Sequence, residues 1–242
     1  MFYEKTADCK QLLTEEEIFQ TIEEAFAGVN TGGKRILVLI PDRTRTAPIP
    51  LFFRSLCTIV GPDSAALDFL VALGTHPPLS EAELCRLVGI SPEERNARYR
   101  NVGLFNHQWQ NPDQFVQLGL LSRNEIAGFA GEALKNLEHD AGLLRDVPVT
   151  LNRMILDYDL LVVCGPVFPH EVVGFSGGNK YFFPGIAGPD LINFSHWLGA
   201  VISNYATIGR ARTPVRQVID RAATKIPREK MAVSFVVESG GI

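Results

Sequence analysis

The sequence predicts an α/β protein: a mostly parallel, Rossmann-like sheet flanked by helices. Short continuous apolar runs at Arg35–Pro41 (RILVLIP), Ala65–Gly74 and Asp159–Gly165 (DLLVVCG) read as strands buried on both faces. Segments with helix-start signals or helical apolar spacing lie between them, the alternation expected of a parallel sheet. The 242 residues are 46% hydrophobic with a net charge of −4, which supplies a core and excludes disorder.

Thr14 followed by Glu17 spells a capping box, and Ile18, Ile22, Ala25 and Phe26 form the apolar stripe of a helix that Gly28 can stop. The Arg35–Pro41 strand follows, then a helix over Pro48–Val60. The Ala65–Gly74 strand ends in Gly74-Thr75-His76. Ser80 with Glu83, and Ser91-Pro92 with Glu94, mark two further helix starts. Beyond Trp109 the chain turns polar; Ser122 with Glu125 announces a helix reaching about His139, and Val147–Leu151 is a weaker strand candidate. Thr213-Pro214 opens a helix on which Val215, Ile219 and Ala222 share a face. Met231–Glu238 (MAVSFVVE) reads as a strand in need of a neighbour. The expected organisation is one α/β domain over 1–235, with 236–242 entering a further, C-terminal domain.

No apolar stretch approaches the ~18 residues of a membrane span, and the N-terminus lacks a signal-type apolar region, so a soluble, cytoplasmic protein with no membrane partner is expected. Cys9, Cys57, Cys85 and Cys164 lack CxxC spacing, which disfavours a structural zinc site or a disulfide framework; they read as buried small apolar residues. The acidic balance argues against nucleic acid. The basic group Arg210, Arg212, Arg216, Arg221, Lys225, Arg228 and Lys230 is interrupted by Asp220 and Glu229 and reads as a solvated helix face. No feature fixes an oligomeric state.

Parallel α/β sheets bind ligands beyond the carboxyl ends of their strands. Asp42-Arg43-Thr44-Arg45, Gly74-Thr75-His76 and Pro169-His170 each follow one of the three apolar strands, so they would meet at one rim. In Gly165–Gly188, Gly174, Gly177 and Gly178 permit tight turns whose N–H groups can cradle an anion, with Ser176 beside them. Lys180 just beyond can hold a phosphate as a point charge or, if desolvated, act as a nucleophilic amine. His76, His170 and His196 sit at or near these loops, where imidazole can bind a metal or move a proton. His107 and His139 read as ordinary hydrogen-bonded histidines.

The blocks DRTR at Asp42–Arg45, GTHPPLSEAEL at Gly74–Leu84 and PHEVVGFSGGNKYFFPG at Pro169–Gly185, with His196 beyond, resemble the N-terminal, cofactor-binding domain of the nickel-pincer-dependent lactate racemase family. The resemblance covers Arg35 to about Trp109 and Pro148 to about Trp197. It implies a nickel-pincer nucleotide, the nickel complex of pyridinium-3,5-bisthiocarboxylic acid mononucleotide, whose own atoms bind most of the metal. Lys180 then resembles the lysine able to attach the cofactor covalently, and His196 the protein ligand to nickel. His76 and His170 resemble the two acid/base histidines, while Asp42 and Arg45 fall on positions that serve the site. The implied reaction is racemisation or epimerisation of a 2-hydroxy acid by reversible hydride transfer, with cofactor-biosynthesis proteins as partners. Ser122–Leu144 has no counterpart in this comparison, and the segment before Thr14 lacks a strand-rich opening. Two other readings stand beside it: a non-catalytic cofactor-binding domain, and a zinc-dependent hydrolase using the three histidines.

Overall fold

The computed structural model describes residues 4–6, 12–131, 134 and 144–238. Its strands, in chain order, are β1 (Arg35–Ile40), β2 (Ala66–Val71), β3 (Leu104–Asn106), β4 (Phe115–Leu121), β5 (Val147–Asn152), β6 (Leu160–Pro166), β7 (Pro169–His170), β8 (Gly174–Phe175) and β9 (Glu229–Phe235). Five of them form the central sheet in the order β3-β2-β1-β6-β9, every neighbouring pair parallel. The chain steps outward from β1 to β3, then returns to β6 on the other side of β1 and continues to β9. Strand order therefore reverses between β1 and β6, and a ligand crevice is expected at their carboxyl ends.

Helices cover both faces: α1 (Glu15–Ala27), α2 (Ile49–Ile59), α3 (Glu81–Leu87), α4 (Pro92–Ala97), α5 (Arg123–Ala130), α6 (Pro189–Ile202) and α7 (Pro214–Ala223). Capping boxes at Thr14, Ser80, Ser91 and Ser122 start α1, α3, α4 and α5, each hydroxyl accepting from an amide three residues on while a glutamate reaches back. Ile36, Val38 and Ile40 point to one side of the sheet and pack with Ile18, Ile22, Phe52 and Phe53. Leu37 and Leu39 point to the other and pack with Leu161, Leu191, Leu198 and Ile219. Burial on both faces explains the unbroken apolar runs of β1 and β6.

Several sequence expectations need correction. The stretch after Trp109 is not merely polar: Phe115–Leu121 is a strand, pairing antiparallel with β5 as a separate two-stranded sheet. Gly119, at φ 153°, sits at an irregularity in that ladder that breaks the alternation expected of a strand. The Ser122 helix ends at Ala130, and the rest of its expected course, including His139, falls largely outside the described residues. So do Cys9 and, of the expected domain entry at 236–242, residues 239–242. Cys85 and Cys164 are buried and Cys57 half-buried. The last strand runs Glu229–Phe235, finding its neighbour in β6. Helix α6 was not foreseen. Among the described residues no helix is long and apolar enough to cross a membrane.

Candidate active site

A cleft of about 280 Å³ opens where the strand order reverses, lined by Asp42 and Arg45 after β1, His76 after β2, His170, Ser176, Gly177 and Lys180 after β6, and His196 on α6. Of the candidate site residues read from the sequence, Gly174 and Gly178 do not line it. Tyr181 and Glu171, which sequence reasoning passed over, do.

Asp42 is buried and central to this wall. Its Oδ1 accepts from the Thr44 amide (3.1 Å) and hydroxyl (2.5 Å), while Oδ2 accepts from Nδ1 of His76. Burial pushes the Asp42 carboxyl up, but the hydrogen bonds from Thr44 and His76 outweigh it and hold the group below the usual carboxylate range. The His76 ring is half exposed, so its Nε2 is open to a ligand. Arg45 lays its guanidinium over the Phe168 ring, 5.3 Å from the centroid. Among the described residues no carboxylate closes on Arg45 within 4 Å, which leaves its donors for an anion in the cleft.

Across from it, His170 is buried, and its Nδ1 accepts the Val172 amide at 3.1 Å. Burial and then the Lys180 charge push its imidazole down to about 4 despite the opposing Glu171, with Arg45 adding to the effect. Burial first, then the neighbouring Arg45, brings the Lys180 ammonium down to about 8 against the pull of Glu171. That is the condition in which a lysine amine can act as a nucleophile near neutral pH.

The glycine loop is shaped by its neighbours. Gly177 and Gly178 adopt φ of 81° and 55°, a left-handed path that favours glycine, before a 3₁₀ turn that carries Lys180. The Ser176 hydroxyl donates to the Pro166 carbonyl (2.9 Å) and accepts from the Phe168 amide (3.0 Å), which ties the loop to the end of β6. From behind, the Arg216 guanidinium donates to the carbonyls of Phe175 and, at 3.4 Å, Gly177. Arg216 was read as part of a solvated helix face; it is instead a strut under the loop. Nearby, Arg221 pairs with Glu125 at 2.6 Å.

His196 reaches the cleft from α6, whose N-terminus is set by Gly188 and Pro189. Its Nδ1 bonds the Ile192 carbonyl at 2.8 Å. His107 lies apart: it is fully buried, its Nδ1 3.4 Å from the Asn152 amide, and among the described residues its Nε2 makes no well-formed hydrogen bond.

A family model for the lactate racemase N-terminal domain matches residues 4–128 and 132–209. The lactate racemase of Thermoanaerobacterium thermosaccharolyticum is 26% identical over 230 residues, covering 91% of this chain and 47% of that protein. That of Lactiplantibacillus plantarum is 27% identical over 169 residues, covering 68% of this chain and 33% of that protein. Among solved structures, a Thermotoga maritima protein shares the fold with a TM-score of 0.79 at 27% identity, over 94% of this chain and 52% of that one. The lactate racemase apoprotein of T. thermosaccharolyticum has a TM-score of 0.68 at 22% identity, over 94% and 50%, a likeness of fold. The chain thus spans about half, or less, of the length of these relatives. The family match covers all but 129–131 of the segment 122–144, so most of that segment has a counterpart in the family. The chain belongs to the lactate racemase N-terminal domain family.

Proposed function

We propose that the cleft holds a nickel-pincer nucleotide and that the protein racemises or epimerises 2-hydroxy acids. The observation that carries this reading is the gathering of Lys180, His196, His76, His170, Asp42 and Arg45 around a single crevice at the reversal of strand order.

The residues fit such a group. His196 holds Nδ1 on a backbone carbonyl, so its Nε2 lone pair is available to a metal, the usual way a protein fixes an imidazole ligand. Lys180 is desolvated enough to offer a neutral amine. Together with Arg45 it gives the cleft a cationic wall suited to phosphate or carboxylate. Among the described residues no three His, Cys, Asp or Glu side chains cluster so as to hold a metal ion. A zinc hydrolase built on three histidines therefore lacks its donor set, whereas a metal whose other donors arrive with the cofactor needs only one protein ligand. Sulfur donors supplied by the cofactor would suit nickel, with His196 as the residue that would hold it.

When bound, the cofactor supplies the acceptor for the hydride on the substrate's α-carbon. The protein's part is to position and to move protons. Arg45 offers paired N–H groups to an anionic group, and His76 and His170 are the groups able to exchange a proton with the substrate oxygen. Tyr181 and Phe168 line the same crevice and give it apolar surface beside these charges.

Producing the chain together with proteins that build the cofactor, then measuring metal content and ultraviolet–visible absorption, tests the reading. Nickel in amounts equal to the chain, with a sulfur-to-metal absorption band, is expected. Zinc in a colourless protein contradicts it. Incubating the loaded protein with single enantiomers of several 2-hydroxy acids then reads the activity as loss of optical purity.

A further inference from the structure

Of the three cleft histidines, His76 and His170 hydrogen-bond through Nδ1 to opposite kinds of partner. Nδ1 of His76 faces Oδ2 of Asp42. An ionised carboxylate only accepts hydrogen bonds, so that nitrogen carries the proton and the lone pair of neutral His76 lies on Nε2. Nδ1 of His170 accepts the backbone N–H of Val172 at 3.1 Å, while the exposed Glu171 carboxylate stands 3.6 Å from the same nitrogen, beyond hydrogen-bonding distance. A backbone N–H only donates, so this Nδ1 is the lone pair and neutral His170 carries its proton on Nε2. The two rings lie along one cleft, each with Nδ1 tied to its own wall.

We propose that the two histidines stand in opposite tautomers: His76 is the proton acceptor, set by Asp42 as its positioning residue, and His170 is a hydrogen-bond donor, set by the Val172 backbone. This rests on the cleft being a 2-hydroxy-acid site and says which side of it is ready to act. A substrate hydroxyl facing His76 gives its proton to Nε2, and the imidazolium that forms keeps its Nδ1–H on Asp42, whose negative charge stabilises it. His170 already holds a proton on Nε2 and can take another only at Nδ1, which requires the Val172 bond to open or the ring to turn. While that bond lasts, His170 donates to the substrate oxygen and does not deprotonate it. A hydroxyl on the His170 side therefore waits on a rearrangement of the segment from Pro169 to Phe175, and the two enantiomers are not activated equally. Asp42, a site residue on sequence resemblance, thereby acquires a specific role, which is to keep the His76 lone pair turned to the ligand.

Long-range ¹H–¹⁵N correlation spectra of the chain with ¹⁵N-labelled histidine test this without metal or turnover. They are recorded at pH ~8, above the ordinary imidazole pKa of about 6.5. His76→Gln and His170→Gln assign the signals. The expected result is an Nδ1–H pattern for His76 and an Nε2–H pattern for His170. In Asp42→Asn the side-chain amide can donate to Nδ1, so His76 should switch to the Nε2–H pattern while His170 stays as it was. An Nε2–H pattern for His76 in the unmodified chain overturns the proposal, and so does an Nδ1–H pattern for His170. An Asp42→Asn variant that leaves His76 unchanged overturns the role of Asp42. The unmodified spectrum decides the tautomers even if a variant folds poorly. Opposite tautomers in a protein that takes up no nickel would uphold this proton arrangement and reject the cofactor reading; nickel uptake with like tautomers would do the reverse.

Discussion

Nδ1 of His196 donates to the carbonyl oxygen of Ile192, one helical turn earlier, at 2.8 Å. The carbonyl can only accept, so the ring is fixed with its lone pair on Nε2, the arrangement that the proposed metal-ligand role requires. His196→Ala should therefore reduce nickel in the loaded protein to background, as read by elemental analysis. Unchanged nickel content in that variant would reject His196 as the ligand.

Lys180 should behave unlike the other lysines. With its ammonium brought down to about 8 by burial and by Arg45, about a tenth of it is neutral at pH 7. That fraction is on the order of a hundredfold above that of an ordinary lysine. Amine acylation followed by peptide mass analysis should show Lys180 reacting first, with a pH midpoint near 8. A midpoint above ~10, where ordinary lysines titrate, would contradict the desolvation argument and weaken the case for a covalent cofactor link.

Tyr181, which lines the cleft, packs closely against Gly165 of β6. A Cβ at Gly165 would lie 1.7 Å from the Tyr181 hydroxyl and 2.3 Å from its Cζ. Gly165 is buried in the strand and Tyr181 is buried in the cleft wall, so the ring has to move. Gly165→Ala should lower unfolding stability by ~1–3 kcal/mol, the usual cost of overfilling a packed interior, as measured by urea denaturation. Unaltered stability would mean that the ring moves freely.

His107 should make the fold sensitive to mild acid. Burial pushes its imidazole from 6.5 down to about 4. Between those values the unfolded chain binds more protons than the folded one, so stability rises with pH across the window and is lost as pH falls from ~6.5 towards ~4. The full span amounts to ~3 kcal/mol from this residue, and His170 adds a loss of the same sign. His107→Phe should flatten the dependence of urea stability on pH in this interval, leaving the share of His170. An unchanged slope would show that His107 does not titrate there.

What could be read from the sequence was largely local. Strands β1, β2 and β6 were legible because burial on both faces leaves an unbroken apolar run, and the four capping boxes because each spans only four residues. Strand β4 was not: its partner is more than thirty residues away for Val116 and Leu151, and the irregularity at Gly119 hides its period. Helix α6 buries Leu191, Ile192, Phe194, Leu198 and Gly199, too much of its circumference for an amphipathic signal, and Gly188 gives it no side-chain cap. The strand-end clusters could be placed at one rim from the rules of parallel sheets alone. The tie between Asp42 and His76 could not, since those residues are joined only by the pairing of β1 with β2. Arg216 was misread because its partners are backbone carbonyls, which leave no mark in a sequence.

Nickel K-edge X-ray absorption of the loaded protein asks most plainly whether His196 is the one protein donor to a metal otherwise held by the cofactor. A spectrum fitted by one imidazole nitrogen with sulfur neighbours is the expected result. Coordination by several imidazoles and no sulfur would contradict it.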